Sequence, residues 1–167
     1  EQEGTYPLPE AQLDRFMFNL NIEYPSKDEE ISIVRGTTSI KESSLNSVIT
    51  KSEIASFQDL IRRVPVSDNV VEFAVKLSAS TRPNSDLAPD FIRKSVDWGA
   101  GPRASQYLVL GAKARAVLDG RPSPNIGDVQ SLAGPILRHR VLPNFNAEAE
   151  GLKVEDIIDQ LIGHLSA

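Results

Sequence analysis

Apolar residues near the start of the chain recur with a period of two. Phe16, Phe18, Leu20, Ile22 and Tyr24 alternate with Met17, Asn19, Asn21 and Glu23 until Pro25 interrupts them. That alternation predicts an edge strand over 16–24, one face covered and one half wet. A lone strand leaves a row of backbone donors and acceptors unpaired, so the pattern also predicts a pairing partner outside this sequence or in a second copy. Beyond Pro25 the acids Asp28, Glu29 and Glu30 precede Ile31, Ile33 and Val34, which suits the first turn of a short helix.

After a Ser/Thr/Asn-rich stretch at 37–50 the period changes to that of a helix. Thr50 with Glu53 three residues on is a capping-box signature, opening a helix whose Ile54, Phe57, Ile61 and Val64 share a face until Pro65. Ser67 is a suitable N-cap for the next helix, with Val70, Phe73, Ala74 and Leu77 as its buried stripe. Turn residues fill 81–86, and a short element holding Phe91 and Ile92 leads to Trp98. Pro102 then suits the first position of a helix reaching about Asp119, predicted to bury Tyr107, Leu110, Ala114 and Val117 and to end at Gly120. Another helix begins near Asn125, with Asp128 three residues on, and Gly134–Pro135 are expected to break or kink it. Val154, Ile157, Ile158, Leu161 and Leu165 mark a last amphipathic helix.

Composition narrows the function. The 167 residues are 40% hydrophobic and 25% charged with a net charge of −5, ordinary for a globular protein and short of the clustered cationic face that duplex binding requires. Nucleic acid is disfavoured as a partner on that ground. No apolar run is long enough to span a bilayer. The absence of Cys removes disulfides, thiolate metal sites and Cys nucleophiles, and fits a cytoplasmic setting. His139 and His164 lack ligand spacing and read as surface helix positions, so no metal site is expected. The basic stretch 137–140 reads as a helix end that favours positive charge, or as a phosphate contact.

Two arginines carry candidate chemistry. Arg15, at the mouth of the predicted strand, is either a surface ion-pair residue or a guanidinium presented at a subunit boundary to developing phosphoryl charge. Arg103 lies in the first helical turn after Pro102, where the helix dipole prefers an acid. Either a nearby carboxylate or an anionic ligand shared with the helix amides would account for it. No Gly-x-x-x-x-Gly-Lys-Ser/Thr loop occurs.

The stretch EQEGTYPLPEAQLDRF (1–16) resembles the late part of the core module of MoxR-type AAA+ ATPases, and GAGPRA (99–104) resembles their sensor-2 turn. PVSD (65–68), LDGRP (118–122) and LRHR (137–140) are similar to stretches of the family's lid helices, in the family's order. The resemblance implies a mainly α fold: a helical-bundle AAA+ lid domain over 49–167, preceded by the last strand and helix of a truncated α/β P-loop core over 1–48. It implies that Arg15 matches the arginine finger, offered in trans to a neighbouring identical subunit of a ring, such as a hexamer. Arg103 then matches the sensor-2 arginine that reaches the ATP phosphates. ATP and Mg2+ would be cofactors of the full-length protein, held mainly by residues upstream of Glu1, and this chain alone would not hydrolyse ATP. Partners implied are neighbouring subunits and a client protein complex, such as a metal-cofactor enzyme, that the ATPase matures or activates in a chaperone-like role. A free-standing helical interaction module derived from such an ATPase is the alternative, and a related ATPase acting on DNA is a third. Gly101 stands where the family carries a small hydroxyl residue, which is expected to loosen the turn before Arg103.

Overall fold

The computed structural model describes residues 8–39 and 45–166. The first seven residues of the family-like stretch and part of the polar linker lie outside them. In chain order the elements are α1 (Glu10–Leu13), α2 (Lys27–Thr37), α3 (Lys51–Arg63), α4 (Asp68–Ser80), α5 (Asp90–Ser95), β1 (Val96–Trp98), α6 (Pro102–Leu118), α7 (Ile126–Leu137), β2 (Leu142–Pro143), α8 (Phe145–Ala149) and α9 (Val154–Ser166).

The core lies among α4, α6, α7 and α9. Val70, Ala74 and Leu77 of α4 meet Ala104, Leu108 and Ala112 of α6, Val129, Ala133 and Ile136 of α7, and Ile157, Ile158 and Leu161 of α9. The stripes expected on α4 and α9 are therefore the ones buried, with Phe73, Val154 and Leu165 packed at their margins. On α6 the buried face is rotated from the expected one. It consists of Ala104, Leu108, Gly111, Ala112 and Ala116, while Tyr107, Leu110, Ala114 and Val117 are only half-buried. Small side chains let α7 approach closely; a Cβ on Gly111 would stand 2.8 Å from the Leu132 side chain.

The caps explain where the helices begin. Thr50 and Glu53 form the expected reciprocal capping box, Asn125 and Asp128 form another, and Ser26 with Glu29 forms a third at α2. Ser67 precedes α4 without a side-chain cap bond. Gly120 takes φ 69°, the left-handed conformation that ends α6. Pro135 does not break α7, which runs on to Leu137. It sits in the last turn, where the N–H it lacks is the only bond forgone and the following carbonyls are already free to bond outside the helix. The Pro135 carbonyl accepts from the Asn19 amide at 2.8 Å.

Residues 16–24 differ from expectation: they form no strand. No neighbouring strand stands beside them among the described residues, and alternation without a ladder does not fix β structure. Instead the segment is tied to the bundle at Arg15, Phe16, Met17 and Asn19 and then runs outward, leaving Ile22 94% and Tyr24 99% exposed. The small sheet is elsewhere. β1 and β2 pair antiparallel, Val96 opposite Pro143 and Trp98 opposite Leu142, closing the loop between α7 and α8 over α5.

Candidate functional site

Arg103 is set by the turn before α6. The Ala100 amide donates to Thr81 Oγ1 at 2.8 Å, and Arg82 Nε donates to the Ala100 carbonyl at 2.8 Å. Gly99 passes so close to the Thr81 backbone that any Cβ there would collide with it. These bonds, rather than a hydroxyl at the N-cap, fix the turn, so the loosening expected from Gly101 is compensated. Gly101 is the N-cap without a side-chain bond, and nothing lies within 4 Å of where its Cβ would be.

The carboxylate that explains Arg103 is Asp14. Arg103 Nη1 lies 2.6 Å from Asp14 Oδ2, and Arg140 Nε lies 2.9 Å from Asp14 Oδ1. One carboxylate thus bridges two guanidinium groups, one from the first turn of α6 and one from the turn after α7. The Arg103 side chain is 42% exposed, leaving the rest of its donor fork available.

Arg140 is the residue the sequence reading passed over except as part of a basic helix end. Its side chain is 1% exposed. Besides Asp14 Oδ1, it donates through Nη2 to the carbonyls of Asp14 at 2.7 Å and Phe16 at 2.6 Å, through Nη1 to the Ile136 carbonyl, and its guanidinium lies 5.2 Å from the Tyr107 ring centroid. Burial pushes the Arg140 pKa down while Asp14 and Tyr107 push it back up. A guanidinium stays charged through such shifts. A buried cation so fully bonded costs little, but one without those acceptors would be expensive.

His139 is not the surface helix position its sequence suggests. It follows α7 in a tight turn, half-buried, with Nε2 at 2.6 Å from Arg140 Nη1 and 3.1 Å from the Phe16 carbonyl oxygen. Burial first, and Arg140 and Arg138 after it, hold its pKa below the ordinary histidine value, partly opposed by the Phe16 carbonyl and Asp14. His164 is the exposed edge-to-face partner of Phe91.

Arg15 follows Asp14 directly, and its carbonyl accepts from the Tyr107 hydroxyl at 3.0 Å. Its side chain is exposed, and among the described residues its guanidinium has neither an ion pair nor a hydrogen bond. The structure therefore brings Arg15 and Arg103 into one neighbourhood through Asp14, although 88 positions separate them in sequence (103 − 15). Beside Asp14 opens a cavity of about 290 Å³, bounded by Glu10, Trp98, Gly99, His139 and Arg140. Trp98 is 68% exposed there. Among the described residues no group of three or more His, Asp or Glu stands together as a metal site, and no helix is long and apolar enough to cross a membrane.

The AAA lid domain family matches residues 91–161. The chain is 36% identical over 167 residues to the YeaC protein of Bacillus subtilis, covering 97% of this chain and 48% of that one. It is 30% identical over 162 residues to the chaperone MoxR1 of Mycobacterium tuberculosis, covering 97% of this chain and 43% of that protein. To the MoxR protein of Methylorubrum extorquens it is 27% identical, covering 84% and 44%. A crystal structure of a candidate ATPase from Cytophaga hutchinsonii superposes with a TM-score of 0.88 at 31% identity, covering 98% of this chain and 50% of that one. The chain spans about half the length of the curated relatives it matches. With an AAA lid in its second half and MoxR proteins aligned along nearly its whole length, the chain belongs to the MoxR-type AAA+ ATPases, as a C-terminal part of one.

Proposed function

We propose that this chain is the lid-bearing part of a ring-forming ATPase in which Arg103 grips the phosphates of ATP bound by its own subunit while Arg15 reaches the ATP of the neighbouring subunit. The observation that carries this reading is the contrast within one dipeptide. Asp14 is bonded on both carboxylate oxygens to lid arginines, whereas the adjacent Arg15 is exposed and its guanidinium is unpaired among the described residues. A side chain left so, on a backbone so firmly held, suits delivery of a fixed positive charge to something outside the chain.

The residues fit a triphosphate but not its metal. Arg103 stands in the first turn of α6, where the positive end of the helix favours an anion; Pro102 has no N–H and the Ala104 amide donates to the Gly101 carbonyl, so the guanidinium is the main donor there. ATP, when bound, supplies the γ-phosphoryl group for transfer to water; this chain contributes charge and orientation. No cluster among the described residues suits Mg2+, which in the full-length protein would be held by other residues. By the same reading, the energy of turnover serves remodelling of a client protein, the role named for the chaperone MoxR1.

The test is Arg15→Ala in the full-length protein. ATP turnover is expected to fall by about 10³–10⁵ while ATP affinity is retained. Loss of both together would make the residue structural.

A further inference from the structure

The backbone around Arg15 is held at three consecutive carbonyls by side chains of the lid. Arg140 Nη2 donates to Asp14 O and to Phe16 O, and the Tyr107 hydroxyl donates to Arg15 O between them. Both donors are themselves fixed. Arg140 is buried and lies over the Tyr107 ring, and Tyr107 sits one turn beyond Arg103 on α6. Charge-assisted bonds of this kind are short and directional, and a buried fork that spans two peptide units leaves the intervening residue little freedom. Such a set of bonds in a loop of no regular structure needs a reason, and of the two exposed side chains it carries at 15 and 16, Arg15 is the charged one.

We propose that Arg140 and Tyr107 are positioning residues for Arg15: they lock the backbone on both sides of it and aim its guanidinium, so that the lid of one subunit sets the geometry of the arginine offered to the next. This rests on the reading of Arg15 given above. It also gives α6 a double role. One turn carries Arg103, which meets Asp14, and the next carries Tyr107, which meets Arg15. A tilt of α6 therefore moves both arginines together.

The experiment uses the full-length protein with Tyr107→Phe and Arg140→Lys. The first removes a single hydroxyl and preserves the ring beneath Arg140. The second keeps the charge but replaces the planar fork, which cannot be reproduced by an ammonium. Arg140→Ala is avoided because it empties a buried site. Two readouts are taken: kcat and KM for ATP, and the rate of tryptic cleavage of the Arg15–Phe16 bond relative to cleavage elsewhere in the same chain. Trypsin must draw the backbone around an exposed arginine into its cleft, and the three held carbonyls oppose that.

The expected result is a kcat lower by about threefold to tenfold for Tyr107→Phe, the worth of one hydrogen bond. For Arg140→Lys a loss of about tenfold to a hundredfold is expected, as for a misplaced catalytic group. KM should be unchanged in both, and cleavage after Arg15 should be accelerated. Unchanged cleavage would overturn the proposal by showing that the bonds do not restrain this backbone. Faster cleavage with unchanged kcat, or a change in KM alone, would overturn it by showing that the restraint does not aim Arg15. Full turnover by Arg15→Ala would instead remove the reading beneath it, a result the cleavage data do not depend on.

Discussion

Helices α3 and α4 are the same length, both start from a Ser/Thr N-cap position and both carry an apolar stripe, yet their fates are opposite. α4 buries Val70, Ala74 and Leu77 completely; α3 buries nothing, and Ile54, Phe57 and Leu60 remain exposed. The same contrast runs through the chain. Beyond Val64 most apolar residues are buried or half-buried, Val75, Leu87, Trp98, Leu118 and Phe145 excepted, whereas α2, α3 and residues 16–24 bury no residue fully and present Ile31, Ile33, Val34, Phe16 and Leu20 to solvent. An amphipathic pattern states that a face requires cover, and it does not say which surface provides it. A row of uncovered stripes beside a closed core fits a chain that spans half the length of its relatives.

The largest expected effect separates the two helices. Leu77→Ala should destabilise this chain by about 2–5 kcal/mol, from lost burial and the cavity left behind. Phe57→Ala should cost well under about 1 kcal/mol, both measured by denaturant unfolding. Equal costs would break the comparison. In the full-length protein, a much larger cost for Phe57→Ala would sharpen it by showing that the α3 face is covered there.

Next in size is the junction between the regions. Asp14→Ala leaves Arg140 buried without its carboxylate and should cost about 3 kcal/mol, less than the full loss for an isolated pair because three carbonyls still accept from it. A negligible change would mean that the N-terminal segment is not fastened to the bundle.

Capping comes third. Asn125→Ala should cost about 1 kcal/mol by removing the bond to the Asp128 amide. Asp128 is held below the ordinary carboxylate range chiefly by Arg121, so the stability it supplies is present above about pH 3.8 and is lost as acid protonates it. His139 acts in the same direction at higher pH. Its folded-state value is depressed, so the bundle is at full strength above about pH 6.5 and weakens below that value, as the unfolded chain takes up the proton first. His139→Gln should flatten that part of the stability profile, read from melting temperatures across pH 5–8. The smallest effect belongs to Gly101→Ser, which fits without collision and should stabilise α6 by a few tenths of a kcal/mol, about the difference between these two N-cap residues.

Much of the bundle was legible because its cues are local. The Thr50–Glu53 and Asn125–Asp128 boxes, Pro102 and Gly120 each act within one helical turn, and the stripes of α4 and α9 are made of bulky residues. The face of α6 was misread because its buried residues are mostly alanine, so that Tyr107 and Leu110 drew the weight that Ala104 and Ala112 deserved. The strand at 16–24 was misread because alternation is a statement about a neighbour. Arg15 and Arg103 could be singled out from sequence, but Asp14 and Arg140 could not be joined across 126 positions. In Leu137-Arg138-His139-Arg140-Val141 no local signal sets the buried, carboxylate-bound Arg140 apart from Arg138 two residues before it.

The most direct test of the shared arginines is complementation between two inactive variants of the full-length protein. Arg15→Ala subunits keep Arg103 for their own nucleotide, and Arg103→Ala subunits keep Arg15 for a neighbour's. Each variant alone should be without turnover, and the mixture, after subunit exchange, should regain a measurable fraction of wild-type ATP hydrolysis at the sites where the two complement each other. A mixture as inactive as its components would contradict the assignment of Arg15 and Arg103 to opposite sides of one interface.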